Sequence, residues 1–174
     1  MKYFFILFLA TMIGCSNSHF QAEKETIDEL ITEYDSLLNA INSVDINSAK
    51  PNLQKYNESL EYSKTQLSTE KKPSLKTMNF MNDMKLMKRQ FKNASKTKNN
   101  LISNSVRNQE QLDNLITDIE NRIFEKDELE LILSREKQAF KELSESLMNF
   151  EKSFKNAESR FDSLYVLSKT FQYN

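Results

Sequence analysis

Few side chains in this sequence have the type and spacing to do chemistry. One Cys (Cys15) and one His (His19) are too few for a zinc cluster, a Cys–His nucleophile pair or an internal disulfide. The single Gly, Gly14, lies near the start. Phosphate loops, dinucleotide folds and nucleophile elbows all need Gly where φ is positive or where backbone approaches a ligand. Carboxylates are plentiful, but glycoside hydrolysis needs two of them facing across a cleft. Lys85, Lys88, Arg89 and Lys92, continued by Lys96 and Lys98, form a basic run that could grip lipid headgroups or another anionic partner. The bland reading is a solvated helix face partly paired with acids elsewhere. Met78, Met81, Met84 and Met87, near Phe80 and Phe91, read as core filler or as an adaptable apolar pocket. No catalytic residue, cofactor or metal site is expected, and the chain is expected not to be an enzyme.

The first fifteen residues have a different purpose. Lys2 is followed by an uncharged apolar stretch from Tyr3 to Ile13, too short for the roughly 20 apolar residues that span a bilayer. It fits the apolar region of a secretory leader. Met12-Ile13-Gly14-Cys15 resembles a bacterial lipobox, with Met12 departing from the usual Leu. The resemblance implies cleavage before Cys15 and a diacylglycerol on its sulfur, with palmitate-type acyl chains. Residues 1–14 would then be a signal peptide and residues 15–24 a lipidated Cys with its tether. Ser16, where an Asp would mark inner-membrane retention, implies an outer-membrane lipoprotein facing the periplasm. The competing reading is a plain secretory leader with Cys15 incidental. Acyl chains contribute about 0.8 kcal/mol per buried CH₂, so two or more anchor stably.

The rest of the chain has helical periodicity nearly throughout. Ile27, Leu30, Ile31, Tyr34, Leu37, Leu38, Ile41 and Val44 follow one another at spacings of three and four, apart from adjacent pairs on the same face. Thr26 and Glu29 read as a capping box at the start of that helix. Pro51 and Pro73 suit the first turns of the next two. Heptad rows follow, Phe80-Met87-Ala94-Leu101-Asn108-Leu115 with Met84-Phe91-Lys98-Ser105-Leu112-Ile119, then Leu129-Glu136-Leu143-Phe150-Ala157-Leu164-Phe171 with Leu133-Phe140-Leu147-Phe154-Phe161. Asp127 and Glu130 read as the N-terminal cap of the last helix. The expectation is a single all-helical domain over 25–174, with helices at about 26–45, 50–69, 74–122 and 127–171. The two long helices, each about 70 Å at 1.5 Å per residue, would form an antiparallel coiled-coil hairpin.

If every short break is a reversal, the two short helices pack only on the proximal half of that hairpin. Its tip near Phe124 then projects as a bare pair of helices. Charge agrees: residues 20–45 hold seven acids and one base, and residues 71–98 hold nine bases and one acid, which favours docking of the two windows. Residues 110–130, with eight acids and two bases, would sit at the free tip. There Glu120, Phe124, Glu125 and Asp127 are candidate contacts for a protein partner. Lys98, Ser105, Asn108 and Glu136 break the apolar rows, either to fix register or to mark a weakly held arm.

The lipobox-like start, the 43–51 break and the Phe124–Leu129 turn into a Lys/Glu/Phe-rich last helix resemble helical coiled-coil lipoproteins of Bacteroidota-type bacteria. That resemblance implies no activity. The expected function is a non-enzymatic envelope scaffold or adaptor that engages a protein partner. The alternative is a helical bundle that binds a lipid or other amphiphile. Homo-oligomerisation through the heptads is open, and nucleic acid is not expected.

Overall fold

The computed structural model describes residues 20–67 and 75–170. Cys15, the leader, His19, Pro73 and Phe171 lie outside the described residues. Two long helices pack together, and two shorter helices pack against them. The elements are α1 (Gln21–Ser43), α2 (Ala49–Leu67), α3 (Leu75–Glu120) and α4 (Lys126–Thr170). The last three boundaries lie close to those read from periodicity. The first does not: α1 begins at Gln21, so Thr26 is inside the helix and residues 21–24 are helix rather than tether. Residues 21–25 are Gln-Ala-Glu-Lys-Glu, all strong helix formers, and they extend the helix past the apparent cap.

The described residues fall into two compact units, 20–37 with 105–142, and 38–67 and 75–104 with 143–170. In the first unit the core is Ile27, Leu30 and Tyr34 of α1, Leu112, Leu115 and Ile119 of α3, and Leu129 and Leu133 of α4. Here α1 runs antiparallel to α3, since Lys24 pairs with Glu120 and Asp35 with Gln109. It runs alongside α4 in the same direction, with Tyr34 edge-on to Phe140 at 5.1 Å between ring centres.

The turn end of the hairpin is therefore not bare, because α1 starts against it. The reason lies in the second unit. The break after α1 is not a reversal: Lys98 lies at Asn42 and Val44, and Lys88 lies at Tyr56, so α2 continues past α3 in the direction α1 was running. The break is held by local bonds, with the Asp45 carboxylate accepting from the Asn47 N–H at 2.8 Å and the Ile46 carbonyl from Ala49 at 3.0 Å. Ser48, just before α2, donates to Glu158. Pro51 falls in the first turn of α2, as its missing N–H requires.

The core of the second unit is aromatic. Phe91 of α3 stands edge-on to Phe154 and Phe161 of α4, at 5.9 and 5.4 Å. Met84 and Met87 are buried with them. Each such side chain contributes roughly 1.5–3 kcal/mol by leaving water, so the heptad rows are spent on packing.

The reversal between α3 and α4 is made without Gly. The Ile123 N–H bonds to the Asp118 carbonyl and the Arg122 N–H to that of Ile119, both at 3.1 Å, a Schellman closure. Arg122 occupies the left-handed position at φ 55°. A side chain with a Cβ costs roughly 1–2 kcal/mol there. Arg122→Gly should therefore raise stability by about 1 kcal/mol, and Arg122→Val should lower it. Urea midpoints test this; a Gly variant no more stable than the Val variant contradicts the assignment.

Candidate functional site

The polar residues that interrupt the heptad rows all find partners or burial, and α1 supplies the partners. Tyr34 is fully buried, and its hydroxyl accepts a hydrogen bond from the Asn108 side-chain amide at 2.9 Å. One turn before Asn108, Ser105 is also fully buried, and its hydroxyl has no partner. Glu136 of α4 borders the same layer, half-buried one turn before Phe140. Burial pushes the Tyr34 phenol above its usual range against the lowering effect of the Asn108 bond, and the Glu136 charge adds to the rise. Burial also pushes the Glu136 carboxyl up. The interrupted seam is thus a polar layer in a three-helix core, where it fixes the register of α1 against α3.

Lys98 has a different role. Its ammonium donates to the backbone carbonyls of Asn42 and Val44 at 2.8 and 2.7 Å, closing the C-terminal end of α1. A cation there complements the helix dipole and satisfies carbonyls that have no helical partner.

Between the acidic window 20–45 and the basic window 71–98, the hydrogen bonds described are those from Lys98 to the Asn42 and Val44 carbonyls. The contacts of α1 along α3 fall at residues 98–120, beyond most of the basic run. What faces part of that run is α2: Lys88, half-buried, lies over the Tyr56 ring at 5.1 Å. Burial raises the Tyr56 phenol above its ordinary value. Lys85, Arg89, Lys92 and Lys96 are exposed and take part in no ion pair among the described residues. Of the four residues of the anionic-ligand face expected from the sequence, Lys85, Arg89 and Lys92 are exposed and Lys88 lies against Tyr56. Among the candidate tip residues, Glu120 is engaged by Lys24 at 2.9 Å, Phe124 is half-buried, and Glu125 and Asp127 are exposed. Asp127 lies in the first turn of α4 rather than at its cap, a favourable place for an acid. The methionines divide as well: Met84 and Met87 are core, while Met78 is exposed.

Charge divides between the two units. Residues 20–37 with 105–142 hold sixteen acids and seven bases; residues 38–104 with 143–174 hold nine acids and sixteen bases. In the acidic unit, an open depression of about 360 Å³ is lined by Thr32, Glu33, Ser36 and Leu37 of α1 and by Phe140 of α4. Among the described residues no cluster of three metal-ligating side chains is present, and no helix is long and apolar enough to cross a membrane. No family model, curated protein or solved structure matches the chain.

Two outcomes follow from the polar layer. Tyr34→Phe and Asn108→Leu should each cost about 1–3 kcal/mol, because each leaves a buried polar group unpaired, whereas the double variant should cost less than the sum. Additive losses in denaturant titrations would mean the bond is not a coupled pair. Glu136 gives a pH signature. Its folded-state pKa is raised, so as pH rises the unfolded chain releases the proton first, and stability falls across that window and stays lower at neutral pH. Glu136→Gln should accordingly stabilise the protein at pH 7, with the gain vanishing below the ordinary carboxyl value of 4.5. A pH-independent gain would exclude titration as its source.

Proposed function

We propose that the chain is a lipid-anchored protein of the bacterial cell envelope, facing the periplasm from the outer membrane. Its helical body would act as a non-enzymatic scaffold or adaptor for a protein partner. The supporting observation is the short span between anchor and body. An uncharged apolar leader ends at Gly14-Cys15, and α1 begins at Gln21, packed through Lys24 against Glu120 at the hairpin turn. Five residues from Cys15 to Phe20 span at most about 18 Å. An acylated Cys15 would therefore hold the α3–α4 turn close to the membrane. The partner surface formed by Phe124, Glu125 and Asp127 then works beside the lipid.

The groups that burial perturbs support a structural use. Tyr34 and Glu136 belong to a packed layer, and the long aromatic rows of the second unit are consumed by their own core. What remains for recognition is the exposed faces.

Isolation from membranes of the native host tests both halves. The mature N-terminal peptide should carry acylated Cys15, and a partner should co-purify with the wild type but not with a Phe124→Ala/Glu125→Lys/Asp127→Lys variant. Removing residues 105–140 is a poorer test, because those residues form the first unit together with α1. An unmodified Cys15, or cleavage elsewhere, would sink the anchor. Equal partner recovery from both proteins would sink the turn as the contact surface.

A further inference from the structure

The exposed face of α1 is acidic and that of α3 is basic, and the two are complementary in charge. From Leu75 to Lys96 the exposed arc of α3 carries Lys85, Arg89, Lys92 and Lys96, with no acid among them. The one acid of that stretch, Asp83, lies off the arc and is held by Arg160 at 2.8 Å. Met78 and Leu86 are exposed on the same arc, at 49% and 51%. The exposed arc of α1 is the counterpart. Asp28, Glu29 and Glu33 are exposed there without ion pairs among the described residues, and the one base of α1, Lys24, is taken by Glu120. Beside these acids lies the depression whose small rim residues are Thr32 and Ser36 and which Leu37 and Phe140 also line. One surface is a basic ridge with apolar knobs; the other is an acidic face with a partly apolar hollow.

We infer that the chain associates with a second copy of itself, the acidic face of α1 in one copy docking on the basic face of α3 in the other. The charges decide this choice of occupant. Residues 20–45 hold seven acids and one base, residues 71–98 hold nine bases and one acid, and α1 packs along residues 98–120 of α3. Opposed faces whose charges take part in no ion pair among the described residues are available between chains, where ordered charges set register and partner choice. Single exposed ion pairs are weak, so several must form together and the association must be salt-sensitive. The inference does not depend on the lipid anchor.

Two differently tagged full-length copies, expressed together and extracted in nonionic detergent, provide the test. Wild-type copies should co-purify at low salt, with recovery falling about tenfold as salt rises toward ~0.5 M. Lys85→Glu/Arg89→Glu/Lys92→Glu in both copies should abolish recovery, as should Asp28→Lys/Glu29→Lys/Glu33→Lys in both. One copy of each variant together should restore it. Carbodiimide cross-linking of mixed isotope-labelled wild-type copies gives an independent readout, with links expected from Lys85 or Lys92 to Asp28, Glu29 or Glu33 between copies. Absent co-purification, recovery indifferent to either reversal, or cross-links only within a copy overturns the inference. A wild type that stays monomeric while the α3 variant alone loses retention on phosphatidylglycerol vesicles also overturns it and assigns the basic face to a lipid surface.

Discussion

The hydrogen bond between Tyr34 and Asn108 is the constraint that organises the first unit. A phenol and an amide buried between helices are tolerable only if they meet, because either one alone in an apolar core costs about 1–3 kcal/mol. With both present, α1 has one favourable register on α3: Tyr34 at Asn108, Asp35 at Gln109, Lys24 at Glu120. Apolar heptads alone would tolerate a slip of one heptad, since Leu and Ile recur along both helices. The polar pair does not. In the second unit Phe91 packs edge-on against Phe154 and Phe161, and the buried Ser168 hydroxyl donates to that of Ser59 at 3.1 Å.

Periodicity made the helices and their buried rows legible. Leu112, Ile119, Leu129, Leu133, Phe154 and Phe161 are buried as their spacing demands. Helix direction was not legible, because apolar spacing states which side of a helix faces a core and nothing about which neighbour supplies it. A short break reads by default as a reversal. Here residues 44–48 are a joint instead, closed by Asp45, Ser48 and a lysine from α3. Lys98 carried the missing information, since a basic residue inside an apolar row needs a local acceptor. The open carbonyls at the end of α1 provide one, but only a placed α1 reveals it. The start of α1 was misread for a related reason: Thr26 and Glu29 match a capping box, yet the five residues before Thr26 favour helix strongly enough to continue it.

The candidate site was only partly visible for the same reason. Lys85, Arg89 and Lys92 are exposed as a basic face, whereas Lys88, one helical turn away, is drawn to Tyr56. Identical residue types in one run separate by rotation about the helix axis, which the count of charges does not report. The division of charge between the units is not visible along the sequence, because each unit is assembled from segments far apart in it.

A chain with no Gly beyond Gly14 must also build its turns from other means. At the α3–α4 turn the left-handed residue is Arg122, and the two bonds to Asp118 and Ile119 hold it there despite its Cβ. The neighbouring Ile123 remains 59% exposed, so the apolar contact that often completes this closure is not made. On the same unit Lys24 pairs with Glu120, the last residue of α3, where α1 begins its register.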